Sequence, residues 1–116
     1  MKRHTIRNHR DFITPQDVLK VALPSFVLKV KPVKIKSDPR YGIIASKKVF
    51  KLAVHRNRAK RLLRDWIAFN EDFMMPEFDY VFIAKARVLE TNREDGRRET
   101  KKAFDKIIQL SQTNAE

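Results

Sequence analysis

The sequence predicts an α+β fold in a single domain, from three observations. A chain of 116 residues with 42% hydrophobic content can enclose one core and is too short for two comfortable domains. Three stretches have the alternation or apolar content of β-strands. Three others have the end signals or apolar spacing of helices. We therefore expect residues 1–116 to form one domain with three recognisable strands and about three helices.

The amino-terminal part predicts a basic arm followed by a helix. Residues 1–10 contain four Lys or Arg and little to bury, which is typical of an arm that orders only on its ligand, with a frayed terminus as an equal alternative. Residues 14–17, TPQD, place an N-cap, a proline and an acid where a helix begins. A helix is expected over residues 14–23, ended by Pro24.

Residues 25–30 predict the first strand, because Phe26 and Leu28 alternate with the polar Lys29. The strand is expected to continue as an edge with lysines that also prevent unwanted pairing. These lysines are Lys31, Lys34 and Lys36.

Two further strands and a last helix are expected towards the carboxyl end. Residues 40–46, RYGIIAS, follow a turn and predict the second strand. Residues 79–86, DYVFIAKA, are the most apolar strand and are expected to be central. A helix reaching about residue 110 would bury Phe104 and Ile107, and the mixed charges at its start are typical of a solvated face.

The segment of residues 47–64, KKVFKLAVHRNRAKRLLR, contains eight Lys or Arg and no Asp or Glu. Its second half predicts a helix that extends to about Asn70. A solvated surface would mix charges, since like charges repel, and a membrane-surface helix would place its apolar face in lipid. This helix has a core to cover, so phosphate is the better counter-charge. The packing side is Ala59, Leu62, Leu63, Trp66 and Ile67, and the charged side is Asn57, Lys60, Arg61 and Arg64.

Charge is unevenly divided along the chain. Residues 1–64 carry 18 cations and three anions, whereas residues 65–116 carry eight cations and 11 anions, within a net charge of +12. A sequence pI of about 10.3 fits nucleic-acid binding better than a small acidic substrate. The absence of cysteine, of a signal-peptide pattern and of a long apolar run predicts a soluble cytoplasmic protein.

The chain is not expected to contain its own catalytic or metal centre. A nuclease usually needs clustered carboxylates or a histidine pair, and the basic half has only scattered acids. Glu77 and Asp79 are more typical of a polar strand entry than of a metal site. His55 is the only histidine in the basic segment, where a hydrogen bond or phosphate contact is the usual role.

Three motifs in order resemble the bacterial ribonuclease P protein component: RYGIIASKKV, then AVHRNRAKRLLRDW, then EFDYVFIAKA. The resemblance covers about residues 40–87. It implies a two-layer α/β sandwich with a mixed four-stranded sheet, of the kind shared with a ribosomal protein domain. It also implies partners: a catalytic RNA, which with Mg²⁺ performs the cleavage, and precursor tRNA, whose single-stranded 5′ leader the protein binds. No DNA or membrane partner is implied.

The resemblance also implies site residues. Phe12, Phe26 and Lys29 match or neighbour the leader-binding cleft, with core packing as the alternative for Phe26. Gln16 and Lys29 stand where the family often has aromatic residues, so leader binding is expected to rest more on charge than on stacking. The catalytic RNA would contact Lys47, Lys48, Arg56, Asn57, Arg58, Lys60, Arg61 and Arg64.

Two other functions fit parts of the same sequence. A non-enzymatic RNA-binding protein, such as a small ribosomal protein or an RNA chaperone, fits the composition equally well, and only the ordered motifs disfavour it. A DNA-binding module is disfavoured because no helix-turn-helix pair precedes the basic helix.

Overall fold

The computed structural model describes residues 4–5, 18–33 and 39–114. These residues form a five-stranded mixed sheet with the order β1-β4-β5-β3-β2. Neighbouring strands are parallel in the β1–β4 and β4–β5 pairs and antiparallel in the β5–β3 and β3–β2 pairs. The strands are β1 (His4–Thr5), β2 (Leu19–Ala22), β3 (Phe26–Pro32), β4 (Arg40–Ile44) and β5 (Phe78–Ala84).

Two α-helices, α1 (Ala53–Phe69) and α2 (Arg93–Asn114), complete the described fold together with 3-10 helices at Glu71–Phe73 and Ala86–Glu90. The predicted α+β class and mixed sheet are confirmed. The two-residue strand β1, within the predicted basic arm, adds a fifth strand to the four expected. No helix in the described ranges has the length and apolar character of a membrane span.

Helix α2 begins at Arg93, directly after a side-chain cap. The Asn92 side chain accepts a hydrogen bond from the Asp95 backbone N–H (2.8 Å) and donates one to the Asp95 carboxylate (3.1 Å). This reciprocal cap satisfies a backbone donor that a helix start otherwise leaves unpaired. Gly96 therefore lies inside the helix.

The predicted helix over residues 14–23 is wrong where the structure describes it. Residues Leu19–Ala22 pair antiparallel with β3, so that Leu19 lies opposite Val30 and Val21 opposite Leu28. The Leu23 N–H donates to the Phe26 carbonyl (2.8 Å) across Pro24 and Ser25, which closes a hairpin. Pro24 thus occupies a turn between strands instead of ending a helix. The TPQD start signal lies outside the described residues.

The other strands follow the predictions closely. Strand β3 continues past residue 30 to Pro32, and β5 is central and flanked by β4 and β3. Lys31 was predicted to lie on an edge strand. It lies instead on β3, which is an inner strand of the sheet. Lys34 and Lys36 lie outside the described residues.

The core lies between the helices and one face of the sheet. Tyr80 and Phe82 on β5 meet Phe104 of α2 edge to face, with ring centroids 5.4 and 6.0 Å apart. Trp66 of α1 is fully buried in the same cluster. Because the inner side of α1 is anchored in this core, its outer side is held at a fixed orientation.

Candidate nucleic-acid interface

The basic segment of residues 47–64 begins in the connection after β4 and continues through the first three turns of α1. Phe50 anchors the connection, since its side chain is buried and its N–H donates to the Ser46 carbonyl (2.9 Å). The Val49 N–H donates to the Ser46 hydroxyl (3.2 Å). Lys47 and Lys48 lie exposed in this turn. Their contact with RNA stays a prediction.

Arg56 ties the connection to the helix. Its guanidinium donates to the backbone carbonyls of Phe50 (2.9 Å) and Lys51 (3.3 Å), and the residue is half-buried. Arg56 was predicted to contact RNA. The structure gives it a positioning role as well, because these bonds hold the lysine-bearing turn against the start of α1.

The outer side of α1 carries five of the predicted contact residues. Asn57, Arg58, Arg61 and Arg64 are exposed and Lys60 is half-buried. We call these five residues the basic face. The opposite side of α1 buries Ala59, Leu63, Trp66 and Ile67, as the helical spacing predicted.

The basic face is not neutralised by the described part of the protein. Across residues 4–5, 18–33 and 39–114, no cation of the basic segment forms an ion pair. Asp65 is the nearest acid in sequence, but it binds Arg97 of α2 through both carboxylate oxygens, at 3.1 and 3.2 Å. The like charges on α1 therefore repel one another, and a polyanion would relieve that repulsion.

The face of the sheet opposite the helices carries a second group of cations. Lys20 of β2 lies directly opposite Lys29 of β3, and Lys31 lies two residues further along β3. We call these three residues the lysine face. Like charges directly opposite each other destabilise a sheet, so this pairing also favours an anionic partner.

Sequence analysis missed Lys20 because it assigned this residue to a helix. The alternation of Leu19, Lys20 and Val21 fits a strand, but it is too short to decide between strand and helix.

Of the two aromatic residues predicted for the leader cleft, only Phe26 lies within the described residues. Phe26 has no exposed surface and packs against Phe82 with ring centroids 5.5 Å apart. The structure therefore favours the core-packing alternative for Phe26, because its ring has no free face for a base. Phe12, like Gln16, lies outside the described residues.

The carboxylates considered for metal binding have another role. Both oxygens of Asp79 accept hydrogen bonds from the Arg40 guanidinium, and the Asp79 side chain is buried. Within the described ranges, no three His, Cys, Asp or Glu side chains lie close enough to hold a metal ion together. The hydroxyl of Tyr80, next to Asp79 in the chain, accepts a hydrogen bond from the Met75 N–H (2.8 Å). Burial raises the pKa of Tyr80 to about 12.

Two curated relatives match most of the chain. The ribonuclease P protein component of Lactobacillus delbrueckii subsp. bulgaricus is 38% identical over 85 residues, which are 72% of this chain and 70% of the relative. The ribonuclease P protein component of Vibrio parahaemolyticus is 36% identical over 94 residues, 81% of this chain and 75% of the relative.

Solved structures show the same fold. The Staphylococcus aureus RNase P protein superimposes with a TM-score of 0.71 at 26% identity, covering 92% of this chain and 96% of that chain. The RNase P protein from Thermotoga maritima gives a TM-score of 0.67 at 21% identity, covering 78% of this chain and 84% of that chain. At 21% identity, the similarity to the Thermotoga maritima protein concerns the fold alone.

The model of the Ribonuclease P family matches residues 1–108, which include the connection after β4, the basic face and all five strands. This match and the relatives above confirm the resemblance of the three motifs and disfavour an unrelated RNA-binding protein. The chain belongs to the ribonuclease P protein component family, the protein subunits of a tRNA-processing endoribonuclease.

Proposed function

We propose that this chain binds the catalytic RNA of ribonuclease P through the basic face, with Lys47 and Lys48 beside it, and works with that RNA in the cytoplasm. The observation that carries the proposal is a row of cations on a rigid helix with no ion-pair partner among the described residues. Arginine can donate two parallel hydrogen bonds to one phosphate, and Asn57 adds a donor and an acceptor for a base edge or a 2′-hydroxyl.

The chemistry is proposed to lie on the RNA. There, Mg²⁺ held mainly by the RNA would assist hydrolysis of the phosphodiester that joins the 5′ leader to the mature tRNA. On the protein, Asp79 is engaged by Arg40, so it is not free to act as a metal ligand. The protein's contribution is then to bind and orient, and its cations reduce the repulsion between two RNA molecules.

We test the contact to the catalytic RNA by charge reversal. Replacing Arg61 and Arg64 with Glu should weaken binding by about 3 kcal/mol or more, since two charge-assisted bonds worth about 1.5–3 kcal/mol each are replaced by repulsion. That corresponds to a loss of at least roughly 100-fold in affinity, measured by filter binding at constant salt.

The matched control reverses two exposed lysines of α2, Lys102 and Lys106, and changes the net charge by the same amount. It should weaken binding much less, because long-range attraction between exposed charges is screened within roughly 10 Å at 0.1 M salt. Equal losses for both double variants would mean that net charge alone drives binding. Unchanged affinity of the Arg61/Arg64 variant would refute the proposed contact.

We propose that the leader of precursor tRNA binds the lysine face by charge, with Phe12 as its aromatic contact. The Lys20→Ala/Lys29→Ala double variant and Phe12→Ala should each lower affinity for precursor tRNA more than for mature tRNA. An equal loss for both tRNAs would remove these residues from leader binding.

Activity is tested by adding the protein to a bacterial catalytic RNA at low Mg²⁺. The expected result is restored cleavage of precursor tRNA at the mature 5′ end. Failure to stimulate, or cleavage by the protein without RNA, would contradict the proposal.

A further inference from the structure

A surface hollow lies beside the basic face, where α1 meets the first turn of α2. Its volume is about 250 Å³. Two of its arginines, Arg58 and Arg61, belong to the basic face, and the third, Arg93, is the first residue of α2. We call it the arginine hollow; its remaining lining residues are Leu62, Asp65 and Trp66.

The hollow has a net positive charge. All three arginines are exposed and form no ion pair with any described residue. The one acid in its wall, Asp65, is neutralised by Arg97, which binds both carboxylate oxygens. Three guanidinium groups thus surround a concave space with their donors uncommitted, an arrangement that favours an anion with several acceptor oxygens.

The floor of the hollow excludes base stacking. Trp66 is fully buried, and its Nε1 is a buried donor with no hydrogen-bond partner in the described structure. Because the indole ring has no exposed surface, a nucleobase cannot stack on it. Leu62 offers no polar group. The hollow therefore suits a compact oxyanion better than a base or a whole nucleotide.

We propose that the arginine hollow binds a phosphodiester group of the RNA backbone, so that Arg93 extends the RNA contact from α1 onto α2. This inference rests on the proposed function, since Arg58 and Arg61 are shared with the basic face. Arg93 is new to the site. The two residues after it in the chain are acidic, and only the packing of α1 against α2 brings it next to Arg58 and Arg61.

The first measurement is binding of the catalytic RNA by the Arg93→Ala variant over a range of salt concentrations. Losing one charge-assisted arginine–phosphate contact should weaken binding about tenfold and lower the slope of log affinity against log salt by about 1. Lys106→Ala, which removes an exposed cation of the same helix outside the hollow, is the matched control and should change neither quantity appreciably. Thermal unfolding by circular dichroism checks that both variants fold like the unmodified chain.

The second measurement places the anion in the hollow. Trp66 is the only tryptophan in the chain, so its fluorescence reports on its own surroundings. Titration with inorganic phosphate at constant ionic strength should give a saturable change in the unmodified protein and a weaker response in Arg93→Ala. A response of equal midpoint in both proteins, or none in the unmodified protein, would overturn the hollow as the binding site.

The outcomes separate this inference from the proposed function. If Arg93→Ala binds RNA like Lys106→Ala while the Arg61/Arg64 charge reversal abolishes binding, the hollow is refuted and the basic face stands. If the charge reversal also has no effect, the proposed function itself fails. A tenfold loss for Arg93→Ala together with the altered phosphate titration supports the hollow.

Discussion

Gly96 of α2 lies directly against the Trp66 ring of α1, and its replacement tests how rigidly the basic face is held. A Cβ atom added to Gly96 would lie 2.0 Å from Cε2 and 2.3 Å from Cζ2 of the Trp66 ring. Carbon atoms pack at about 3.5–4.0 Å, so one of the two groups would have to move by about 1.5 Å. Trp66 is fully buried in the core, so its ring has little room to move.

The Gly96→Ala substitution sets two effects against each other. Alanine in a helix interior is more favourable than glycine by about 1 kcal/mol. Forcing an extra carbon into a packed core costs about 1–3 kcal/mol, and this contact belongs at the upper end because the clash is with a rigid ring. We expect a net loss of about 2 kcal/mol, or about 8 °C in Tm for a domain of this size.

Urea unfolding followed by both far-ultraviolet circular dichroism and Trp66 fluorescence measures this loss. Lys106→Ala, at an exposed site of the same helix, should stay within about 0.5 kcal/mol of the unmodified protein. The double variant Trp66→Leu/Gly96→Ala should be less destabilised than the sum of its single variants, by about 1 kcal/mol or more, because the smaller side chain removes the clash. The variants without Trp66 are followed by circular dichroism alone, since they contain no tryptophan. A Gly96→Ala protein as stable as the unmodified chain would refute the reasoning.

Two further predictions concern buried polar groups of β5. Because the pKa of Tyr80 is raised in the folded state to about 12 from an ordinary value near 10, its contribution to stability is complete below about pH 10 and is lost between about pH 10 and 12. Tyr80→Phe should flatten this part of the stability curve in urea unfolding, and an unchanged alkaline slope would contradict the assignment. Replacing Arg40 with Met should cost about 3 kcal/mol, since the Asp79 carboxylate then stays buried without its partner, whereas Asp79→Asn should cost about 1 kcal/mol. Equal losses in urea unfolding at pH 7 would contradict that asymmetry.

The elements that sequence analysis predicted well are those with a long and unambiguous pattern. The apolar spacing from Ala59 to Ile67 defines one side of α1 over more than two turns, and the cations follow on the other side. The apolar run of β5 is typical of a strand covered on both faces. Both patterns depend on residues close in sequence, so they are readable without knowledge of the partner strands.

Residues 19–22, Phe26 and the arginine hollow differ in how far the sequence could decide their placement. Residues 19–22 are too few for periodicity to decide between helix and strand, and their pairing with β3 decides it. Phe26 shares the core side of β3 with Leu28 and Val30, which the alternation of the strand indicated before any family resemblance was considered. The arginine hollow could not be read from spacing, because Arg61 and Arg93 meet only through the packing of two helices.

The described ion pairs show why the basic face is left uncompensated. Asp65, Asp79, Asp95 and Asp105 each bind a cation, and none of these cations lies in the basic segment. The acids of the second half of the chain thus serve to join α1 to α2, to support the sheet and to stabilise α2. The cations of α1 then repel one another in the free protein. Binding of RNA phosphates relieves this repulsion, which otherwise lowers the stability of the folded protein. The same unpaired charges therefore oppose the stability of the free protein and favour its complex, and added salt should act on the two in opposite directions.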